Sequence, residues 1–254
     1  MVPPWTKYLF LKSLAKESPE GIFLTGDISN GKLLELDLTL LARYAKCPIY
    51  FVLGNHDYQF SSFDESHKTV RKLCQRYRNL HWLTDENPIQ LNEEVCVIGT
   101  EGWYDASIGK PEFLKYSFDW MLIKDFRDLP NMNARIDAFK ERADQSAKLI
   151  SIKIDRALEM GYKNIYLLTH FPPWQEATRD KGLLLEPYWL PYNTNIRLGK
   201  AIENIMSDKN KRHITVLAGH THTDCWIHVS RNIECKVNKA KYYGMPRNEE
   251  HIFI

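Results

Sequence analysis

The chain has 254 residues, 44% of them hydrophobic and 26% charged, and 34 Lys and Arg against 32 Asp and Glu leave a formal charge of +2. That composition excludes a mainly disordered chain, and the lack of a basic surplus argues against a dedicated nucleic-acid surface. Five scattered cysteines without a C-x-x-C pair argue against a disulfide scaffold or structural zinc site, and no run reaches the roughly 18 apolar residues of a membrane span.

The N-terminal apolar patch Tyr8-Leu9-Phe10-Leu11 is bracketed by Lys7 and Lys12, too short for a secretory leader, so a cytoplasmic location is expected. Residues 7–16 read as a helix. A first strand follows at 21–25, then a helical pattern carried by Leu33, Leu34, Leu36, Leu38, Leu40, Leu41 and Tyr44. A second strand is read at 48–53, a helix through Val70, Leu73, Cys74 and Tyr77, and a third strand at 95–98. A long polar stretch at about 136–160 keeps Ile150, Ile154, Ala157 and Leu158 on one helical face. Two more strands are read at 164–168 and 213–217. Residues 111–133 and the Pro-rich 171–195 read as excursions above a sheet edge. Short, nearly continuous apolar runs are strands buried on both faces, and their alternation with helices predicts one layered α/β domain over 1–254. A helical insertion is expected at about 111–160.

The chemistry lies where the strands stop. The first ends in Gly26-Asp27, the second in Gly54-Asn55-His56-Asp57, a later one in His170, and the last in Gly219-His220-Thr221-His222. Loops at the carboxyl ends of strands converge in open α/β sheets, which would gather Asp27, Asn55, His56, His170, His220 and His222. Imidazole and oxygen donors together suit Mn, Fe, Zn or Ni and not a calcium cage. Each piece alone is also an ordinary turn or surface histidine, and the force of the pattern is its recurrence at four strand ends. A rival reading takes residues 26–32 as a phosphate-binding loop ending in Gly31-Lys32. Leu33 then stands where a Ser or Thr hydroxyl would meet Mg²⁺, which counts against it. The basic cluster Lys209, Lys211 and Arg212 reads as a solvated helix end.

From Phe23 to about His222 the sequence resembles the calcineurin-like metallophosphoesterases, with Gly26-Asp27, Gly54-Asn55-His56-Asp57, His170 and Gly219-His220-Thr221-His222 matching the family's second to fifth motifs. The resemblance implies a two-sheet sandwich flanked by helices, a four-layer αββα fold, with two metal ions, manganese foremost, at the strand ends. One metal would take Asp27, Asn55, His170 and His220. The other would share Asp27 and take His222. His56 would be the catalytic histidine, assisting the leaving group, with Asp57 orienting it. The implied reaction is hydrolysis of a phosphate monoester or diester by a metal-activated hydroxide.

The family's first motif, Asp-x-His at the end of an N-terminal strand, is absent: no Asp precedes Asp27 and no His precedes His56. The expectation is a chain lacking its first strand, with one metal in place of two; the alternative is an impaired phosphoesterase fold kept as a binding or scaffold protein. Aromatics near the rim, Trp103, Tyr104, Trp174, Tyr188, Trp189 and Tyr192, either stack on a substrate ring or pack the loops on one another.

Overall fold

The computed structural model describes residues 4–240 and Ile252. In chain order it contains α1 (Pro4–Glu17), β1 (Ile22–Thr25), α2 (Leu34–Tyr44), β2 (Ile49–Val52), α3 (Phe63–Arg76), β3 (Leu80–Trp82), β4 (Ile89–Gln90) and β5 (Val95–Gly99). Then come α4 (Asp119–Leu122), α5 (Lys124–Arg127), α6 (Met132–Glu159), β6 (Asn164–Leu168), β7 (Arg179–Asp180) and β8 (Leu183–Leu184). The last elements are α7 (Ile196–Met206), β9 (His213–Ala218), β10 (Cys225–Ser230) and β11 (Ile233–Val237).

Among the described residues β1, β2 and β3 form a parallel sheet in that order, with β1 at one edge. A larger sheet runs β10-β11-β9-β6-β5-β4, parallel through its centre and closed by antiparallel strands at each end. Side chains of successive strand residues point to opposite faces, and this period of two builds three cores from two sheets. Ile49 and Phe51 of β2 face Leu34, Leu38 and Leu41 of α2 and Val70 and Leu73 of α3. Val52, with Tyr50 and Phe23, turns the other way and meets Val97, Leu168 and Leu217 of the larger sheet. The outer face of that sheet, through Ile98, Ile165, Leu167, Ile214 and Val216, buries Ile150, Ile154 and Ala157 of α6 and Leu198 and Ile202 of α7. The layers are therefore helix, sheet, sheet, helix, as the sequence implies. No described helix is long and apolar enough to cross a membrane.

Residues 111–131 sit beyond β5 as a 3-10 turn, α4 and α5, and join the first core through Leu114, Ile123 and Phe126. Phe60 N–H donates to Leu122 O at 2.7 Å and Lys124 N–H to Ser61 O at 3.0 Å, so this segment is fastened to the loop after β2. The N-terminal part of α6 follows it into that core through Phe139.

Candidate metal centre at the strand ends

Asp27 and Asn55 follow β1 and β2 of the smaller sheet, while His170 and His220 follow β6 and β9 of the larger one. Packing the sheets face to face brings these four together. Two glycines allow the approach: Gly26 turns the chain at φ 97°, and at Gly54 a Cβ would stand 2.2 Å from Asp27 Oδ1. Asp27, His220 and His222 themselves have left-handed backbones, with φ of 53°, 67° and 56°. Non-glycine residues held there store strain, and such residues gather at functional sites.

Hydrogen bonds fix which atom each side chain presents. His170 Nδ1–H donates to Thr25 O at 2.7 Å, leaving the Nε2 lone pair to face Asn55 Oδ1 at 3.0 Å, His220 Nδ1 at 3.3 Å and Asp27 Oδ1 at 3.4 Å. His220 Nε2–H donates to Tyr192 O at 3.2 Å, so its Nδ1 also turns a lone pair inward. Asn55 Nδ2 donates to Asp119 Oδ1 at 2.8 Å, which leaves Oδ1 as the inward atom of the amide. Four acceptors thus converge, and a single proton on His170 Nε2 would serve only one of its three neighbours. A cation resolves the repulsion, and two imidazole nitrogens with two oxygens match a first-row divalent metal. Asp27, His170 and His220 offer ligand atoms all within 4.8 Å of one another.

The electrostatics agree. Burial pushes the Asp27 carboxyl up, but the combined pull of His170, His56 and His220 with the His56 N–H holds it below the ordinary range. Burial, then the neighbouring His170, drives the His220 imidazole well below its usual value. A carboxylate and a neutral imidazole are the forms that bind metal.

The other predicted residues stand around this centre. His56, 37% exposed, has Nε2 4.0 Å from Asp27 Oδ2, and its ring is not among the converging donors. His222 is half-buried and outside the 4.8 Å cluster; burial lowers its imidazole, with the Asp27 charge opposing. Asp57 is fully buried, and its carboxylate accepts N–H bonds from Ser29 at 2.7 Å, Gly54 at 2.9 Å and Ile28 at 3.3 Å. It clamps the loop after β1 to the loop after β2, while Asp27 brings a carboxylate oxygen to 4.0 Å from His56 Nε2. Burial and the Asp27 charge push Asp57 up to about 8.

Of the rim aromatics, Trp103, Tyr104 and Trp174 are buried in the cores, while Tyr188 and Trp189 are 43% and 49% exposed. Lys32 is exposed with Nζ 5.2 Å from the Phe60 ring centre. Sequence reasoning missed Asp119 and the carbonyls of Thr25 and Tyr192. The carbonyls carry no residue signature, and Asp119 lies in a segment without a motif.

The calcineurin-like phosphoesterase family profile matches residues 6–224. No curated protein matches the chain. Among solved structures, the protein TT1561 of Thermus thermophilus is similar at a TM-score of 0.53 and 13% identity, over 92% of this chain and 84% of that one. A dimetal phosphatase from Danio rerio is similar at 0.52 and 12% identity, over 92% and 76%. At these identities the likeness is one of fold. The profile match spans most of the sequence, and the chain belongs to the calcineurin-like phosphoesterase family.

Proposed function

We propose that this calcineurin-like phosphoesterase hydrolyses a phosphate ester at a divalent transition-metal centre held by Asp27, Asn55, His170 and His220, with Mn²⁺ the first metal to test. The observation that carries the reading is the convergence of four lone-pair atoms, three of them, on Asn55, His170 and His220, oriented by a hydrogen bond on the far side of the group. A metal held there supplies Lewis acidity, making water acidic enough to attack at neutral pH and offsetting the charge of the ester.

The chain's own residues do the rest. Asp27 keeps its carboxylate ionised and anchors the His56 backbone N–H with Oδ1 at 3.0 Å. That bond, with the Asp57 clamp, fixes where the His56 ring emerges. His56 is exposed enough to meet substrate and close enough to Asp27 to be held by it, so it is placed to hand a proton to the leaving alkoxide. General acid catalysis of this kind contributes about 10²–10⁴ in rate. His222 lies on the same rim and would contribute to a second metal. Partners follow from the chemistry: a phosphate ester and divalent metal ions.

The test is to load the protein with Mn²⁺, desalt it, measure bound metal and assay a chromogenic phosphate diester and monoester. The expected result is about one tightly held metal per chain and metal-dependent hydrolysis. His56→Ala should keep the metal while turnover falls by about 10²-fold or more. Protein that retains no metal overturns the reading. Full metal content without hydrolysis of either ester assigns the fold a binding role.

A further inference from the structure

Coordination through Asn55 depends on which end of its amide faces the centre. The two ends are nearly equal in size, but the oxygen is an acceptor and the nitrogen a donor, so a flip about the last side-chain bond would present N–H groups to a cation. Nothing in the shape of the residue selects the oxygen. What selects it is the acceptor behind the nitrogen, Asp119 Oδ1, at 2.8 Å from Nδ2.

Asp119 opens α4, 64 residues downstream of Asn55. It is 3% exposed. Its second oxygen accepts Ser117 Oγ–H at 3.2 Å and Tyr104 O–H at 3.3 Å, and its own N–H donates to Ser117 Oγ at 3.3 Å. All its partners are uncharged, and among the described residues no Lys or Arg forms an ion pair with it. A buried carboxylate without a cation is expensive, and a neutral acceptor would stabilise the packing better if packing were all that mattered. Its hydrogen bond also leaves the Asn55 oxygen more electron-rich, and acceptors behind metal ligands commonly act in this way.

We infer that Asp119 is a positioning residue: held by Tyr104 and Ser117, it locks Asn55 with Oδ1 toward the metal centre, so that the segment beyond β5 sets metal affinity from outside the ligand set. The inference rests on the proposed Asp27, Asn55, His170 and His220 centre.

The experiment titrates Co²⁺ into the full chain, following visible absorption and calorimetric heat, for wild type, Asp119→Leu and Asp119→Asn. Leucine keeps the volume and loses the acceptor; asparagine keeps an oxygen that can accept from Asn55 Nδ2. Asp119→Leu is expected to bind Co²⁺ about 10–100-fold more weakly with an altered ligand-field spectrum, and Asp119→Asn to recover most of the affinity and the spectrum. In an Asn55→Ala background the Asp119→Leu effect should vanish, which a merely structural residue would not show. Ser117→Ala removes both bonds between Ser117 Oγ and Asp119 and should weaken binding several-fold, keeping the inference testable if Asp119→Leu does not fold. If wild type binds no Co²⁺, the metal-centre reading fails. If wild type binds and folded Asp119→Leu, or Ser117→Ala in its place, matches its affinity and spectrum, the positioning role alone is overturned.

Discussion

Gly54 has φ of −105°, open to any residue, so what it supplies is space. A Cβ there would stand 2.2 Å from Asp27 Oδ1, 2.5 Å from Asp27 N and 2.7 Å from His170 Cε1. Two of those contacts are to the Asp27 side chain and the backbone that carries it, and the third is to the His170 ring. Gly54→Ala therefore displaces Asp27 and His170 together, although it removes no donor atom. Overpacking of this kind costs about 1–3 kcal/mol, and the expected outcome is that loss in thermal denaturation together with a clear fall in retained Mn²⁺. Gly161 is the contrast. It sits just past α6 at φ 92° with nothing within 4 Å of where a Cβ would stand, so Gly161→Ala should cost about 1 kcal/mol through backbone strain and leave metal content unchanged. Equal metal content in the two variants would show that the ligands accommodate the Gly54 methyl group.

Lys153 shows how α6 is fastened to the sheets. The i, i+3, i+4 spacing that places Ile150, Ile154 and Ala157 against the larger sheet puts Lys153 on the same buried side, and it is 5% exposed. Its ammonium donates to the carbonyls of Leu83, Thr84 at 3.0 Å and Gly99 at 3.0 Å, groups just past the end of β3 and at the end of β5. Burial lowers it to about 8 from an ordinary 10.5, with Glu101 pulling the other way. Below pH 8 it is charged in both folded and unfolded chains and the burial penalty is complete. Between pH 8 and 10.5 the unfolded chain binds more protons, so stability from this group rises with pH, by about 3 kcal/mol over the window. The stability of Lys153→Met relative to wild type should thus fall as pH rises from 8 to 10.5 in paired denaturation curves; a constant difference would contradict the lowered value. A lysine on the apolar stripe is where pattern reading stops, since alternation marks a face and not the carbonyls waiting beneath it. The same limit hid β3, only three residues long, and the β10–β11 pair, whose outward Trp226, His228 and Ser230 alternate with inward residues instead of forming an apolar run. Of the strands that end in site residues, β2, β6 and β9 were legible because most of their residues are buried, and the half-buried β1 because its run is still continuously apolar. Asp119 was not, because its role exists only once the segment beyond β5 folds back on Asn55.

At the scale of the molecule, the centre lies where the two sheets meet. The smaller sheet supplies Asp27 and Asn55, the larger His170 and His220, and His170 ties the sheets together there through Thr25 O, Asn55 and Asp27, beside the Trp82 and Thr84 bonds to Glu101. With Lys and Arg nearly balancing Asp and Glu, the chain has little net charge with which to attract a phosphate ester, and a cation bound at this junction would supply the missing positive charge. It would bind the folded arrangement and not the unfolded chain, where the four donors are far apart in sequence, so metal binding would add to folding stability. At a free metal concentration 100-fold above Kd that linkage is about 2.7 kcal/mol. For a domain of this size the corresponding rise in Tm is about 5–10 °C. Mn²⁺ should therefore raise Tm by that amount in wild type, a chelator should reverse it, and His170→Ala should abolish it, because His170 is the donor that faces ligands from both sheets. Differential scanning calorimetry with and without Mn²⁺ measures all three, and a Mn²⁺-dependent rise that survives His170→Ala would place the stabilising cation elsewhere on the molecule.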